Sequence, residues 1–308
     1  MRIDLVGVTG RYSHEMSAAE KQPVFRFAPS PNGRLHLGHA YSALFSAHEA
    51  NKSGARFLLR IEDIDLLRCR SEYVDGIFED LAWLGLSWED PVRRQSEQFE
   101  TYFEALDTLQ DMGVLYPCYA TRSEIRAAVE GKADHPLDPD GAPVYPGLYR
   151  EGSAQAEQER PYALRLNHAL AIKLVRDKLG HRPAFQETGC GPSGERGSLP
   201  VTPEIWGDVV LARKDIRTSY TIAVVVDDAL QGVTHITRGQ DLFAATHIHR
   251  VLQVLLELPE PVYCHHPLIS DDTGRKLAKS ANDQSLASLR ESGVSAEQIK
   301  RELGFTGL

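Results

Sequence analysis

The chain has 308 residues, 42% of them hydrophobic, and carries a formal net charge of −9. This length and apolar content suit one sizeable core with an inserted or appended subdomain, and no apolar run is long enough to span a membrane. The acidic balance argues mildly against a nucleic-acid partner, although residues 165–182 and 213–217 are locally basic.

The predicted elements begin at residue 23. Residues 1–22 are expected to form an N-terminal extension, and because they lack the features of a secretion signal we expect a cytoplasmic protein. Residues 24–28 predict a strand, which Pro29 and Pro31 end because proline disfavours both helix and ladder pairing. Residues 23–115 are predicted to be the first half of a nucleotide-binding sheet, with a helix at 38–52, a strand at 56–61 and helices at 71–84 and 95–113.

Two histidines stand where the first strand gives way to the first helix. His36 and His39 flank a Leu-Gly pair, and Gly38 lets the backbone come close to a ligand. A helix N-terminus offers unpaired N–H groups and a positive dipole end, so phosphate binds there readily. Both imidazoles can donate hydrogen bonds to phosphate oxygens as charge builds on them. The chain has no Walker-type or G-x-G-x-x-G motif, which disfavours kinases and dehydrogenases.

The middle of the chain is less regular. Residues 116–200 are rich in proline, glycine and charge, and are predicted to form an inserted subdomain with a strand at 162–166 and mobile loops at 132–149 and 188–198. Residues 201–258 are predicted to resume the sheet, with strands at 207–213 and 220–226 and a helix at 242–256. The run at 220–226 is almost continuously apolar, as in a strand buried on both faces.

A second charged motif lies in the last segment, residues 259–308. Lys276, Lys279 and Ser280 follow a Gly274-hinged stretch, where the lysines would place positive charge over a departing pyrophosphate. Either motif alone is weak evidence, because such patterns arise by chance. Both motifs in this order indicate an ATP site that forms an adenylate rather than one that transfers a γ-phosphate.

Four segments together resemble the class I aminoacyl-tRNA synthetases, specifically the glutamyl branch. They are R-F-A-P-S-P with H-L-G-H in residues 26–39, R-I-E-D-I-D at 60–65, residues 219–239, and K-L-A-K-S at 276–280. The resemblance implies an α/β fold with a Rossmann-like parallel sheet, an inserted α+β subdomain in the position that holds the acceptor end of tRNA, and a short C-terminal helical stem. It implies ATP and Mg²⁺ as cofactors and a set of catalytic and ATP-binding residues, namely His36, Gly38, His39, Lys276, Lys279 and Ser280.

The distance from the lysine motif to the chain end distinguishes branches of this family. Full glutamyl-tRNA synthetases continue into helical domains that bind the anticodon, whereas this chain ends shortly after Ser280. We therefore expect a truncated relative, without an anticodon-binding domain, that acts as a monomer and transfers glutamate to the queuosine base of tRNA(Asp). Val224, where full enzymes usually carry asparagine, agrees with this branch. The alternatives are a minimal glutamyl-tRNA synthetase, a small-molecule adenylate-forming ligase and a catalytically silent RNA-binding paralogue.

Glutamate offers an ammonium and two carboxylates to be held. Arg26, at a strand end, can bind a carboxylate as a bidentate fork, and Glu62 can accept the ammonium. In the resembling family the positions that contact glutamate match Arg26, Phe27, Ala28, Pro29, Ser30, Glu62, Tyr220 and Arg238.

Each charged candidate also has a structural alternative. Glu62 could instead form an ion pair with Arg60 or Arg68. Arg238 could likewise pair with Asp227 or Asp241.

The cysteines indicate neither a disulfide framework nor a zinc ribbon, since they are scattered without a C-x-x-C pair. Many members of the resembling family hold a structural zinc through three cysteines and a tyrosine in the inserted subdomain. Only Cys118 and Tyr145 match here, so we predict no zinc. The histidines at 247 and 249, and those at 265 and 266, are predicted to be structural because side chains so spaced diverge.

Overall fold

The computed structural model describes residues 22–150, 160–269 and 284–307. The strands in this part of the chain are β1 (Val24–Phe27), β2 (Arg56–Ile61), β3 (Glu89–Arg94), β4 (Leu115–Cys118), β5 (Ala163–Leu166), β6 (Ala184–Glu187), β7 (Gly197–Pro200), β8 (Val210–Ala212), β9 (His235–Gly239) and β10 (Val262–His266). The helices are α1 (Leu37–Lys52), α2 (Ser71–Trp83), α3 (Phe99–Asp111), α4 (Arg122–Val129), α5 (His168–Leu179), α6 (Tyr220–Leu230), α7 (Ala245–Leu255), α8 (Leu286–Glu291) and α9 (Ala296–Glu302).

Two parallel arrays form the centre of the fold. One has the order β1-β2-β3, and the other has the order β9-β10-β6, with β7 antiparallel at its edge. They meet where the Thr234 amide donates to the Val24 carbonyl at 3.0 Å and the Val24 amide donates to Thr234 Oγ1 at 2.8 Å. The strand order therefore reverses direction between β1 and β9, which is where open α/β sheets bind ligands.

Helices cover both faces of this sheet. On one face α1, α2 and the C-terminal helices share a core that includes Ala43, Ile77 and Ile299. On the other face α3, α5, α6 and α7 share a core that includes Leu106, Val225 and Val251. The small side chains along α1 let it lie close to β1 and β9, since alanines at positions 40, 43, 47 and 50 are all buried. Within the described residues, no helix has both the length and the apolarity that a membrane crossing requires.

The antiparallel sheet β4-β5-β8 stands beside the parallel sheet. The strand predicted at 162–166 is confirmed as β5. The strand predicted at 207–213 exists as β8, but it pairs antiparallel with β5 and does not resume the parallel sheet as expected. Residues 184–200, assigned from sequence to the inserted subdomain, form β6 and β7 and pair with β10. The segment boundaries at 116 and 200 stay a prediction.

The prediction of a strand at 220–226 is wrong, because these residues begin α6. The run of β-branched residues is apolar on every side, and such a run fits a helix buried on all sides as well as a buried strand. Here α6 packs between α3 and α7, and its residues from Ile222 to Asp228 are all buried. Predicted strands at 24–28 and 56–61 and helices at 38–52, 71–84 and 242–256 are confirmed within one to three residues, while the predicted helix at 95–113 is a 3₁₀ turn followed by α3.

Candidate functional site

A cavity of about 610 Å³ opens at the switch between β1 and β9. Its walls come from the carboxyl ends of β1, β2, β9 and β10 and from the N-termini of α1 and α6. The structure brings together all the described residues that the sequence analysis assigned to glutamate and ATP, namely Arg26, Phe27, Ala28, Pro29, Ser30, His36, Gly38, His39, Glu62, Tyr220 and Arg238. Lys276, Lys279 and Ser280 lie outside the described residues.

His36 and His39 cap the helix that they begin. His36 is the N-cap of α1, where its Nδ1 accepts a hydrogen bond from the Gly38 amide at 3.1 Å. His39 Nδ1 accepts in turn from the His36 amide at 3.3 Å. The two rings lie together, with centroids 3.9 Å apart. Histidine thus serves here as both halves of a capping box, a role usually taken by serine or threonine with glutamate.

This capping fixes where each neutral imidazole carries its proton. Because Nδ1 of both rings accepts a hydrogen bond, the single proton of each neutral ring is on Nε2. The two histidines therefore present Nε2–H donors beside the first turn of α1, whose backbone amides and dipole also favour an anion.

Arg238 is a buried cation held by neutral groups. It is 5% exposed, and its Nε donates to His265 Nε2 at 3.1 Å while Nη1 donates to His249 Nδ1 at 3.2 Å. Its third hydrogen-bond partner is the Thr246 hydroxyl. The predicted alternative of an ion pair with Asp227 or Asp241 does not occur in the described part of the chain. A buried guanidinium without a carboxylate beside it attracts an anionic ligand, since leaving such a charge unpaired is costly.

His265 connects Arg238 to a buried carboxylate. Arginine only donates hydrogen bonds, so His265 Nε2 must accept, and its proton is on Nδ1, which donates to Glu187 at 2.5 Å. The Glu187 carboxylate also accepts from the amides of His265 and Gly189. A side chain at Gly189 would collide with the His265 backbone and with Glu187, so this close approach needs glycine. Burial lowers the pKa of His265 to about 4, which keeps it neutral at physiological pH.

Arg26 differs from Arg238 because it already has a carboxylate partner. Its Nε and Nη2 donate to the two carboxylate oxygens of Asp228 at 3.0 and 3.3 Å. The sequence analysis assigned the guanidinium of Arg26 to a substrate carboxylate, but Asp228 already binds its Nε and Nη2. Burial alone would raise the pKa of Asp228, but the charges of Arg26 and Arg60 outweigh it and lower that pKa to about 2. A contact between Arg26 and glutamate stays a prediction.

Glu62 forms the ion pair that was considered as its structural alternative. Arg60 Nη2 lies 3.1 Å from Glu62 Oε1, and Arg60 is fully buried. Arg68 pairs with Asp65 instead. Burial nevertheless raises the pKa of Glu62, against the lowering effect of Arg60 and Arg26. A substrate ammonium at Glu62 would therefore stabilise a carboxylate that its surroundings leave incompletely compensated.

Sequence reasoning missed the residues that hold the binding side chains. Asp228, Glu187 and His265 do not line the cavity. Asp228 binds Arg26, and His265 joins Glu187 to Arg238. The histidines at 249 and 265, predicted to be structural, do hold Arg238. In the sequence these histidines stand out as polar residues among apolar ones. That pattern does not reveal which distant side chain each of them contacts.

The two residues that match the zinc ligands of related enzymes do lie together. Cys118 Sγ donates to Tyr145 Oη at 3.3 Å. Arg165 fills the space beside them, with Nε 3.3 Å from the sulfur and its guanidinium carbon 3.9 Å from the centre of the tyrosine ring. A guanidinium held there does not fit a zinc site, and no cluster of three or more potential metal ligands occurs within the described residues. The absence of zinc stays a prediction.

Comparisons with known proteins agree on one family. Residues 23–308 match the family of class I tRNA synthetases (E and Q), catalytic domain. The chain is 45% identical over 288 residues to glutamyl-Q tRNA(Asp) synthetase of Rhodobacter capsulatus, covering 92% of this chain and 100% of that protein. It is 38% identical over 288 residues to the protein of the same name from Symbiobacterium thermophilum, covering 91% of this chain and 85% of that one.

A solved structure shows the same fold. Glutamate-tRNA synthetase from Elizabethkingia anophelis matches with a TM-score of 0.65 and 24% identity, over 89% of this chain and 54% of that one. The chain therefore spans about half the length of that synthetase.

Proposed function

The chain belongs to the class I tRNA synthetases for glutamate and glutamine, a family that uses ATP, and on this premise we propose that it activates glutamate and transfers it to queuosine in tRNA(Asp). The observation that carries the proposal is the cavity, which gathers every described candidate residue around an arginine with no carboxylate partner among the described residues. The 45% identity to a glutamyl-Q tRNA(Asp) synthetase over that protein's whole length supports the acceptor.

The cavity's charges suggest how glutamate lies in it. The α-carboxylate must remain available to attack ATP, so the γ-carboxylate is the group for Arg238. Glu62, on the wall formed by the end of β2, takes the α-ammonium. Tyr220, whose pKa is raised by burial, stays a neutral phenol that can donate to a carboxylate. This arrangement selects glutamate over glutamine, since a neutral amide leaves Arg238 uncompensated.

Activation is an in-line attack on the α-phosphorus of ATP. The α-carboxylate oxygen forms a bond to phosphorus as the bond to the β-phosphate oxygen breaks, and pyrophosphate leaves. Mg²⁺ bound to the triphosphate of ATP would neutralise part of its charge. His36 and His39 donate from Nε2 to phosphate oxygens as negative charge develops there. No covalent bond to the protein is needed.

Lys276 and Lys279 complete the proposed phosphate site. The described residues on both sides of their segment reach the cavity: Leu268 and Ile269 line it, and Ser285 forms a bridge with His36. The Leu286 amide donates to the Leu35 carbonyl at 2.8 Å, which anchors the chain just before the histidine motif. We propose that the two lysines stabilise the leaving pyrophosphate.

Transfer requires an acceptor base next to the adenylate. A hydroxyl of the queuosine cyclopentenediol attacks the adenylate carbonyl, and AMP leaves. A wider groove of about 1060 Å³ adjoins the cavity, with Tyr220, Asp241 and Leu242 in the walls of both. That groove supplies room for a base extruded from an anticodon loop.

The RNA that accepts glutamate distinguishes the proposed function from its alternatives. The purified protein would be given MgATP, labelled glutamate and one of three RNAs: tRNA(Asp) with queuosine, the same tRNA with guanosine in its place, and tRNA(Glu). We expect label only on the queuosine-containing tRNA. Label on tRNA(Glu), or equal label on both forms of tRNA(Asp), would contradict the proposal and favour a minimal glutamyl-tRNA synthetase. A protein that consumes ATP with glutamate but labels no RNA would favour a small-molecule ligase.

A further inference from the structure

A second groove carries positive charge and aromatic rings. It lies between α3 and the edge of β5 and β8, and has a volume of about 370 Å³. Four cations, Arg160, Arg213, Lys214 and Arg217, line it with a single carboxylate, Asp107. The chain as a whole has a net charge of −9, so this excess of positive charge is local.

Two of these cations, Lys214 and Arg217, form no ion pair at salt-bridge distance within the described residues. The Lys214 ammonium donates to the carbonyl of Tyr119, a neutral acceptor, at 2.7 Å. The exposed Arg217 has its guanidinium carbon 5.9 Å from the centre of the Phe103 ring. Arg213, by contrast, is paired with Asp65 and Asp215. Glu124 offsets part of the positive charge, because Arg160 and Lys214 contribute, after its hydrogen bonds with Thr121, to lowering its pKa.

The larger groove beside the cavity has the opposite balance. Its walls carry three arginines at positions 122, 126 and 165, against four aspartates at 138, 140, 208 and 241. Nucleic-acid backbones bind where cations exceed carboxylates, since neutralising phosphates supplies most of the sequence-independent affinity. Phosphates are therefore favoured in the smaller groove and not in the larger one.

Aromatic side chains give the smaller groove a second feature of RNA-binding surfaces. Tyr162 is 46% exposed there, and Phe103 on α3 also lines the groove. Exposed aromatic faces beside arginine and lysine bind unpaired bases by stacking while the cations hold the backbone.

Shared lining residues place the groove near the candidate active site. Arg213 lines both the groove and a pocket of about 110 Å³, and Ser30, Glu62 and Tyr220 line both that pocket and the cavity. An RNA loop that places one base in the cavity would bring its neighbouring nucleotides toward this groove.

We propose that the groove between α3 and the β5–β8 edge binds the unpaired RNA that flanks the glutamate-accepting nucleotide, with Lys214 and Arg217 on its phosphates and Tyr162 against a base. This inference rests on the proposed function, and it deepens that function by assigning a surface to the RNA.

Arg217 allows a test that separates binding from folding. Its φ is +54°, in the left-handed region that favours glycine. Replacing Arg217 with glycine therefore removes the guanidinium and relieves backbone strain, so the fold is not weakened. Arg176 is an exposed arginine on α5 outside the groove, and Arg176→Ala is a matched control for loss of one positive charge.

The experiment measures the Kd for a tRNA(Asp) anticodon stem–loop at several salt concentrations, the unfolding temperature, and glutamate-dependent ATP–pyrophosphate exchange without RNA. For Arg217→Gly we expect a several-fold weaker Kd, a salt dependence reduced by about one phosphate contact, an unfolding temperature that does not fall, and unchanged exchange. Arg176→Ala should bind as the wild type does. An unchanged Kd in Arg217→Gly, or an equal loss of affinity in Arg176→Ala, would contradict RNA binding in this groove. Absence of exchange in the wild type would instead contradict the proposed function. The stem–loop Kd would still show whether the groove binds RNA.

Discussion

Arg238 is the residue on which the choice of substrate depends most. Its hydrogen-bond partners His265, His249 and Thr246 fix the guanidinium without neutralising it. Glu187 stabilises the position of Arg238 indirectly, by accepting a hydrogen bond from His265. The sequence could nominate Arg238 through its resemblance to a family, but not its supports, because they come from β6, β10 and α7, far apart in the chain.

His265 can be tested as a positioning residue. In His265→Leu, Arg238 loses an acceptor and Glu187 loses its imidazole donor, so we expect the KM for glutamate in ATP–pyrophosphate exchange to rise tenfold or more. His265→Gln keeps one acceptor and one donor and should restore most of the affinity. A fall in kcat with an unchanged KM, in either variant, would show that His265 does not act through Arg238.

Protonation of His265 gives a pH dependence. Its folded pKa is about 4, well below the ordinary histidine value, because burial disfavours the imidazolium. Below that pH, Nε2 carries a proton and faces Arg238, so we expect the KM for glutamate to be flat from pH 8 to 6 and to rise as pH falls toward 4. A KM that rises fully between pH 7 and 6 would mean that His265 titrates like an exposed histidine.

Buried histidines, among them His247 and His265, also make folding stability depend on pH. Burial lowers the pKa of His247, like that of His265, to about 4, so the unfolded chain binds more protons between pH 6.5 and 4. Stability from these groups is therefore lost as pH falls through that range. Asp80 acts in the opposite direction, since burial raises its pKa to about 6. We expect His247→Gln to show a smaller loss of unfolding free energy between pH 7 and 4.5 than the wild type, and an equal loss would refute this.

At the scale of elements, the N-terminus of α1 combines folding and chemistry. His36 caps the helix through Nδ1 and presents a donor on Nε2. Asparagine also caps helices well but lacks the second donor. We expect His36→Asn to keep the wild-type free energy of unfolding while exchange falls roughly 100-fold, the typical cost of one transition-state donor. His36→Ala should lose the activity and also about 1 kcal/mol of stability. An active His36→Asn would mean that His36 only caps α1.

Helix α6 places carboxylates at the centre of the molecule. Asp228 binds Arg26 and Arg60, while Asp227 accepts from Arg93, Gln95 and Tyr102. Removing one side of a buried charge network is expensive, so we expect Asp228→Asn to lower the free energy of unfolding by about 3–5 kcal/mol in denaturant titration. The matched change Asp215→Asn breaks a half-exposed pair with Arg213 and should cost less than about 1 kcal/mol. Similar costs for the two variants would contradict the structural role of α6.

Elements with a clear period or a sharp end could be predicted from the sequence, and others could not. The helix of α1 and the strand of β1 were predictable because Pro29, Pro31 and the histidine motif mark the change between them. Strand β3 was missed because Glu89–Arg94 is polar and contains a proline, which an edge strand tolerates. The sequence predicts a strand where α6 lies, because burial by α3 and α7 decides its conformation and the local sequence does not reveal that burial.

At the scale of the whole molecule, the cavity lies where two half-sheets meet. Residues more than 200 positions apart, such as Arg26 and Asp228, are joined there. The sequence could nominate candidate ligand side chains through the resemblance to a family, and the described ones line one cavity. It could not predict how the charges compensate each other, because that depends on the packing of α6 and β9 against β1.

The net charge of −9 also has a meaning only at this scale. Taken as a total, the net charge argues against RNA binding. The charge is unevenly distributed over the surface: the groove between α3 and the β5–β8 edge has four cations and one carboxylate. This groove lies near the site proposed to receive an RNA loop. The same total charge is compatible with an RNA-binding enzyme because most acidic side chains lie elsewhere.

The central claim is that this cavity activates glutamate by itself. The most direct test is ATP–pyrophosphate exchange with MgATP and glutamate and without RNA, compared with glutamine as the amino acid. We predict exchange that depends on glutamate, is absent with glutamine, and falls roughly 100-fold in His36→Asn. Exchange that is silent without RNA and appears only when tRNA(Glu) is added would contradict the account and assign the chain to glutamyl-tRNA formation.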